Sequence, residues 1–146
     1  MKILIPTDGS VASLEAVRYA LKLIGNGLAT SVVLGNVQEP ATLYERITAS
    51  DEEEIREVAA EAGLHLLAPA ETLLTSNGVD FEIEVASGEV ALTLVEMADR
   101  FECDLIMMSS RGHGSVANAL LGSVSTAVLE ASRVPVLMVK SAHGEV

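Results

Sequence analysis

The chain has 146 residues, a formal net charge of −12 at pH 7, and a hydrophobic fraction of 49%. This composition predicts one globular domain with a sizeable apolar core and excludes a disordered chain. Aromatic residues make up only 3% and Trp is absent, which argues against nucleobase stacking on aromatic platforms. The acidic balance predicts that the protein binds neither nucleic acid nor an anionic membrane surface.

The single cysteine, Cys103, excludes an intramolecular disulfide framework and zinc sites of the Cys-x-x-Cys type. It directly precedes an apolar run, so we expect a packed thiol and not a reactive one. The first residues form a short apolar run that meets Asp8 at once, and neither a signal peptide nor a membrane span is visible. We therefore expect a soluble, cytoplasmic protein.

Apolar runs alternate with helical periodicity along the chain, which predicts an α/β domain with a mostly parallel sheet. The first strand is predicted over Lys2–Pro6, because proline cannot donate to a strand ladder and belongs at the end. A helix follows, with Ser10 as its N-cap and Gly25-Asn26-Gly27 as its stop. The second strand is predicted over Ser31–Val37.

A long helix is predicted from Asp51 towards Ser76. Its start has the capping-box pattern, with Ser50 as N-cap and Glu53 three residues later. Gly63 and Pro69 interrupt the helical pattern, which predicts a kink near His65–Leu67.

The segment Asp80–Ala86 alternates apolar and acidic residues, which is typical of an edge strand with one solvated face. The other predicted strands are continuously apolar. The remaining predicted elements are, in order, a helix over Glu89–Arg100, a strand over Asp104–Met108, a helix over Ser123–Ser132 and a strand over Pro135–Val139.

This order of elements predicts a doubly wound sheet, in which ligands bind beyond the carboxyl ends of the strands where the strand order reverses. If the first and fourth strands are neighbours, the loop 6–10 meets the loop 109–115 there. This places the carboxylate of Asp8 close to a glycine-containing loop.

Two features of this region predict phosphate binding through backbone N–H groups. Gly112 and Gly114 make a flexible loop after a buried strand, and Gly122-Ser123 opens a helix, where free N–H groups attract anions. The spacing is that of neither a P-loop nor a Gly-x-Gly-x-x-Gly dinucleotide loop. The pattern of Gly112 and Gly114 also fits a plain tight turn.

The charged residues of the two loops each have two readings. Asp8 could face the ribose or base of a nucleotide, or bond back to the helix that begins near Ser10. Arg111 and His113 could clamp a phosphate, or lie solvated in the loop. We expect no catalytic or metal site, because no histidine has triad spacing and no acidic cluster has metal-ligand spacing.

Four segments resemble conserved parts of the universal stress protein family, in order along the chain: Ile3–Ser10, Asp104–Gly112, Leu120–Val124 and Val134–Val139. The ATP-binding members carry Gly-x-x-Gly, nine residues, and then Gly-Ser or Gly-Thr. Here Gly112, the residues 113 to 121, and Gly122-Ser123 keep this spacing, while Ser109 replaces the first glycine. The resemblance implies the ATP-binding branch.

The resemblance implies one domain over residues 1–146, with a Rossmann-like, five-stranded parallel sheet of order 3-2-1-4-5 and helices on both faces, as in the adenine nucleotide alpha hydrolase fold. It also implies ATP or another adenine nucleotide as ligand, with Mg²⁺ as a companion of the phosphates. By this resemblance, the adenosine side of the ligand would be lined by Pro6, Thr7 and Asp8, and adenine would be held by the backbone of Val37. The border between sugar and phosphates would be formed by Met108 and Ser109. The phosphates would be bound by Arg111, Gly112, His113, Gly114, Gly122, Ser123 and Val124.

The resemblance further implies a homodimer through the last strand, Val134–Val139, whose apolar open edge suits a partner strand. We therefore expect a nucleotide-responsive stress protein, at most a weak ATPase. The alternative is a protein-interaction module of the same fold that needs no nucleotide, and its protein partner cannot be named from the sequence.

Overall fold

The computed structural model describes residues 1–39, 52–110 and 122–140. The strands of this part are β1 (Lys2–Pro6), β2 (Ser31–Gln38), β3 (Phe81–Ser87), β4 (Leu105–Ser109) and β5 (Val136–Val139). The helices are α1 (Val11–Gly25), α2 (Glu52–Ser76), α3 (Val90–Arg100) and α4 (Ser123–Ala131). The predicted cap Ser50 and the loop residues Arg111, Gly112, His113 and Gly114 lie outside the described residues.

The five strands form one parallel sheet in the order β3-β2-β1-β4-β5. Pro6 is paired with Gly35 on β2, and Leu4 is paired with Ile106 on β4. The strand order therefore reverses between β1 and β4, as the family resemblance implies for the first and fourth strands. The expected fold class, strand order and edge position of β3 are all confirmed.

The two sheet faces carry separate apolar cores, each covered by two helices. Strand residues of even and odd number alternate between the faces, which is the period of a β-strand. On one face α1 and α2 cover Ile3, Ile5, Val32, Leu34 and Met107. On the other, α3 and α4 cover Leu4, Val33, Ile106 and Met108.

Side-chain caps fix where two of the helices begin. The Oγ of Ser10 accepts a hydrogen bond of 3.1 Å from the Ser13 N–H, so the predicted N-cap of α1 is confirmed. Glu89, which the sequence places inside the helix, is instead the N-cap of α3. Its carboxylate accepts from the N–H groups of Ala91 and Leu92, at 3.1 and 2.9 Å.

Helix α2 runs without a break through both Gly63 and Pro69. Gly63 is explained by close packing, because a Cβ at this position would contact both methyl groups of Val85 on β3 and lie 3.1 Å from Oδ1 of Asn36 on β2. The helix backbone therefore comes down onto the sheet near the carboxyl ends of these two strands.

Cys103 is buried beside the second core, as expected for a packed thiol. Burial is the main cause that raises the pKa of the Cys103 thiol to about 11, and the nearby ammonium of Lys2 opposes it only in part. A thiol with this pKa stays protonated at neutral pH and is a poor nucleophile.

Candidate functional site

The turn that follows β1 is held by β2 through both backbone groups of Thr7. The Thr7 N–H donates to the Gly35 carbonyl at 2.8 Å, and the side-chain amide of Asn36 donates to the Thr7 carbonyl at 2.8 Å. Next in the turn, Oδ1 of Asp8 accepts from the Ser10 N–H at 2.9 Å. One of the two readings of Asp8, bonding back to the start of α1, is therefore present in the structure.

The end of β2 presents backbone groups that the sheet does not use. In a parallel ladder, successive residues direct their N–H and C=O groups to opposite neighbours. The Val32 N–H and the Gln38 carbonyl bond to the β3 side, at 3.2 and 3.1 Å, while the Gly35 carbonyl bonds to Thr7. The backbone groups of Val37 thus point to the β1 side, where the last paired residue is Pro6. Within the described residues, no backbone group of the β1 turn bonds to the N–H or the C=O of Val37.

A buried hydroxyl lies at the same edge. Thr7 is only 3% exposed, and its Oγ1 has no hydrogen-bond partner within the described residues. Such a group costs free energy unless it finds a partner, and in native proteins it points to a bound molecule or an ordered water.

Ser110 connects the end of β4 to the start of α4. Its carbonyl accepts from the Gly122 N–H at 2.8 Å and from the Ser125 hydroxyl at 3.0 Å, and its own N–H donates to the Val139 carbonyl at 3.0 Å. The Gly122 N–H is therefore engaged within the chain. This corrects the expectation that Gly122 offers its N–H to a phosphate.

The amides of the two residues after Gly122 lie at the start of α4. Gly122 is the N-cap of α4, with φ −73° and ψ 165°, and it supplies no side-chain cap. The N–H groups of Ser123 and Val124 lie in the first turn, where a helix has no internal acceptors. Ser123 is exposed and lies at the positive end of the helix dipole.

The fold thus gathers the described members of the predicted site at one edge of the sheet. Met108 and Ser109 end β4, next to the end of β1, because Leu4 and Ile106 are paired two residues earlier in their strands. The described members at this edge are Pro6, Thr7 and Asp8 after β1, Val37 at the end of β2, Met108 and Ser109 on β4, and Gly122, Ser123 and Val124 at α4.

Sequence reasoning did not single out the polar residues that hold this edge together. Asn36 and Gln38 are buried, although they end an otherwise apolar strand. Ser110 and Ser125 are also buried and bond to each other. The sequence did hold one signal for Asn36, because it is a polar residue inside a run that predicts a fully buried strand.

Within residues 1–39, 52–110 and 122–140, no group of three or more His, Cys, Asp or Glu side chains is placed to hold a metal ion. No helix in that same part of the chain combines the length and apolar character needed to cross a bilayer.

The chain belongs to the universal stress protein family, whose sequence model matches residues 1–140. Universal stress protein MJ0531 of Methanocaldococcus jannaschii is 33% identical over 144 residues, which cover 99% of this chain and 84% of that protein. This is a relative across nearly the full length of both chains, and it agrees with the resemblance seen in the four sequence segments.

Solved structures show the same fold. Hypothetical protein MJ0577 superposes with a TM-score of 0.80 at 26% identity, over 96% of this chain and 95% of that one. A universal stress protein solved in complex with cAMP superposes with a TM-score of 0.66 at 26% identity, over 97% and 98% of the two chains. The fold of this chain is thus shared with a protein that binds an adenine nucleotide.

Proposed function

We propose that this stress protein binds an adenine nucleotide at the carboxyl edge of its sheet. The observation that carries the proposal is the backbone N–H and C=O of Val37, to which no described backbone group of the β1 turn bonds, beside the point where β1 ends. Adenine offers an acceptor at N1 next to a donor at N6. The N–H and C=O of one extended residue point the same way and match that pair.

The phosphates would extend towards α4. The amides of Ser123 and Val124 and the Ser123 hydroxyl are donors at the positive end of a helix, which favours an anion without any lysine. The glycine loop 111–114 completes the site in this proposal, as the family resemblance implies, and Mg²⁺ can accompany the phosphates. Thr7 Oγ1 supplies a further buried hydrogen-bonding group near the nucleoside.

Two further observations support the ligand class. The relative in complex with cAMP shares 26% identity over almost the whole chain. In addition, the spacing from Gly112 to Gly122-Ser123 is that of the ATP-binding branch. We propose ATP as the main ligand, with the site in the reducing cytoplasm, where a single buried thiol is stable.

Hydrolysis is proposed to be slow or absent. Phosphoryl transfer needs a group that orients water and cations that offset the charge developing on the phosphate. At the described edge the nearest carboxylate, Asp8, already accepts from the Ser10 N–H. The site is therefore proposed to hold its nucleotide as a signal and not as a substrate.

Calorimetric titration of the full chain with ATP, AMP and cAMP, with and without Mg²⁺, tests the proposal. We expect saturable binding with Kd below about 1 mM, or about −4 kcal/mol. Unfolding should also require about 2.7 kcal/mol more at a ligand concentration of 100 Kd. GTP is the matched control and should bind more weakly. If millimolar ATP gives neither heat of binding nor a shift of the unfolding temperature, the proposal is wrong.

The alternative function is a protein-interaction module that needs no nucleotide. The specific observation in its favour is the Ser109 side chain at the position of the first motif glycine, buried at the end of β4. The interaction module would be favoured if the protein is purified without bound nucleotide and then binds none of the three nucleotides in the titration.

We also propose a homodimer through β5. The Val139 and Pro135 carbonyls accept from β4, both at 3.0 Å. By the alternation of the ladder, the backbone groups of Val136 and Met138 therefore face the open edge. An apolar strand with such an edge is a template for a second copy.

Replacing Met138 with proline should dissociate this dimer. Met138→Pro removes an N–H on the open side while leaving the β4 ladder intact, since proline is tolerated there on an edge strand. Light scattering should show the mass fall from twice 15.3 kDa to 15.3 kDa. Met138→Val keeps the N–H and should remain dimeric. A dimer that survives the proline would place the contact elsewhere.

A further inference from the structure

The donor to the Thr7 carbonyl is not the one that a regular sheet would supply. In the β1–β2 ladder the Thr7 N–H bonds to Gly35. The next bond of a parallel ladder would run from the Val37 N–H to the Thr7 carbonyl. The structure instead has the side-chain amide of Asn36 on this carbonyl, at 2.8 Å. A side chain therefore ends the ladder one bond early.

A second buried amide, that of Gln38, bonds to the side chain of Asn36. Gln38 Nε2 donates to Asn36 Oδ1 at 2.7 Å. Because the Thr7 carbonyl can only accept, the Asn36 nitrogen must face it, and the Asn36 oxygen must then face Gln38. The chain of bonds from Gln38 through Asn36 to Thr7 therefore has one direction. Asn36 and Gln38 are 3% and 9% exposed, so water competes little for these bonds.

We propose that Asn36 is a positioning residue that keeps the Val37 N–H out of the sheet and available to the nucleobase. The Asn36 amide takes the place on the Thr7 carbonyl that its nearest ladder donor, the Val37 N–H, would otherwise take. The role in base binding rests on the proposed function. The effect on the ladder does not, because it is a property of the protein without ligand.

A purely structural role for Asn36 makes a different prediction. If Asn36 only satisfied a buried carbonyl, its loss would loosen the turn and speed up amide exchange at nearby residues. If Asn36 holds the ladder open, its loss lets the Thr7 carbonyl accept from Val37, because a buried carbonyl without a donor is costly. The Val37 amide then exchanges more slowly. The two roles therefore change this one rate in opposite directions.

The test is amide hydrogen exchange of the ligand-free full chain, followed by NMR. Asn36→Leu removes the amide at similar volume, and we expect the protection factor of the Val37 N–H to rise about five- to tenfold, the effect of one net hydrogen bond. The matched control is Asn77→Ala, which removes a 2.8 Å bond from an asparagine side chain to the Leu73 carbonyl at the end of α2. It should leave Val37 unchanged.

Asn36→Asp is a second variant in case the leucine variant does not fold. Its carboxylate cannot donate to Thr7 at pH 8, whereas its protonated form can at acidic pH. Protection at Val37 should therefore rise at pH 8 and return towards the wild-type value on acidification. Unchanged or reduced protection at Val37 in the folded variants would overturn the proposal.

Titration with AMP then tests the link to the base. Binding by Asn36→Leu should weaken about tenfold, the effect of losing one or two base hydrogen bonds, while Asn77→Ala binds normally. If the wild type binds no AMP, the proposed function fails, and the exchange data still decide whether Asn36 holds the ladder open. Slower exchange with unchanged AMP affinity would overturn the assignment of Val37 to the base.

Discussion

Replacing Gly122 with aspartate should abolish nucleotide binding while leaving the fold as stable as before, or more so. Gly122 has the extended backbone of an N-cap, φ −73° and ψ 165°, and gives α4 no side-chain cap. Aspartate is a preferred residue in this conformation, and its carboxylate would bond to the first amides of the helix. A cap of this kind adds about 0.5–2 kcal/mol over alanine but only a few tenths of a kcal/mol over glycine.

The same cap acts against the ligand in two ways. It occupies the amides of the first turn that we assign to the phosphates, and it sets a negative charge beside them. Lost charge-assisted hydrogen bonds cost about 1.5–3 kcal/mol, and charge repulsion adds about 1 kcal/mol. Together these effects predict that ATP affinity falls at least about 100-fold, since about 2.7 kcal/mol corresponds to that factor.

Two variants separate these effects in calorimetry and thermal unfolding. Gly122→Asn caps the helix without a charge and should retain part of the affinity. Gly122→Ala leaves the amides uncapped and should bind nearly as well as the wild type. Normal ATP binding by the aspartate variant would show that the first turn of α4 does not contact the nucleotide.

Gly63→Ala should destabilise the protein, although alanine is the better helix former. Helix propensity alone predicts a gain of about 1 kcal/mol in the middle of α2. The new methyl group, however, would meet both methyl groups of Val85, one of them at 2.8 Å, so rotating that side chain gives no relief. Overpacking of this kind costs about 1–3 kcal/mol. Thermal or urea unfolding should show a net loss of up to about 2 kcal/mol, which is the packing cost less the gain in helix propensity.

A rescue and a control sharpen this prediction. In the double variant Gly63→Ala with Val85→Ala, the removed methyl groups make room, so the loss should be about 1 kcal/mol smaller than the sum of the single losses. Gly25→Ala at the end of α1 has nothing within 4 Å of the new Cβ and should be stabilising. A gain in stability from Gly63→Ala alone would contradict the packing seen here.

The fold could be predicted from the sequence because each element carries its own local signal. Alternating residues mark β3 as an edge strand, and apolar runs mark the others, with ends within one or two residues of those observed. Glu89 is a case that local sequence signals do not decide, because an acidic residue suits both the first turn of a helix and its N-cap. Only the two hydrogen bonds that its carboxylate accepts, from Ala91 and Leu92, identify Glu89 as the N-cap.

The sheet edge that carries the candidate site could be predicted, but the hydrogen bonds at that edge could not. The carboxyl edge follows from the strand order, and the strand order follows from the family. The pairing of Asn36 with Thr7 and of Ser110 with Gly122 does not, because residues 29 apart and residues across a loop meet only in three dimensions. For the same reason the sequence could not show that the Gly122 amide is already bonded.

Ser110 connects the two proposed binding surfaces of the protein. Its N–H bonds to the edge strand, and its carbonyl bonds to the start of the helix where we propose that the phosphates bind. If both assignments hold, occupancy of the pocket and self-association become linked equilibria, and linkage is reciprocal. Protein concentration would then tune the apparent nucleotide affinity, and nucleotide would tune the monomer–dimer balance by the same factor.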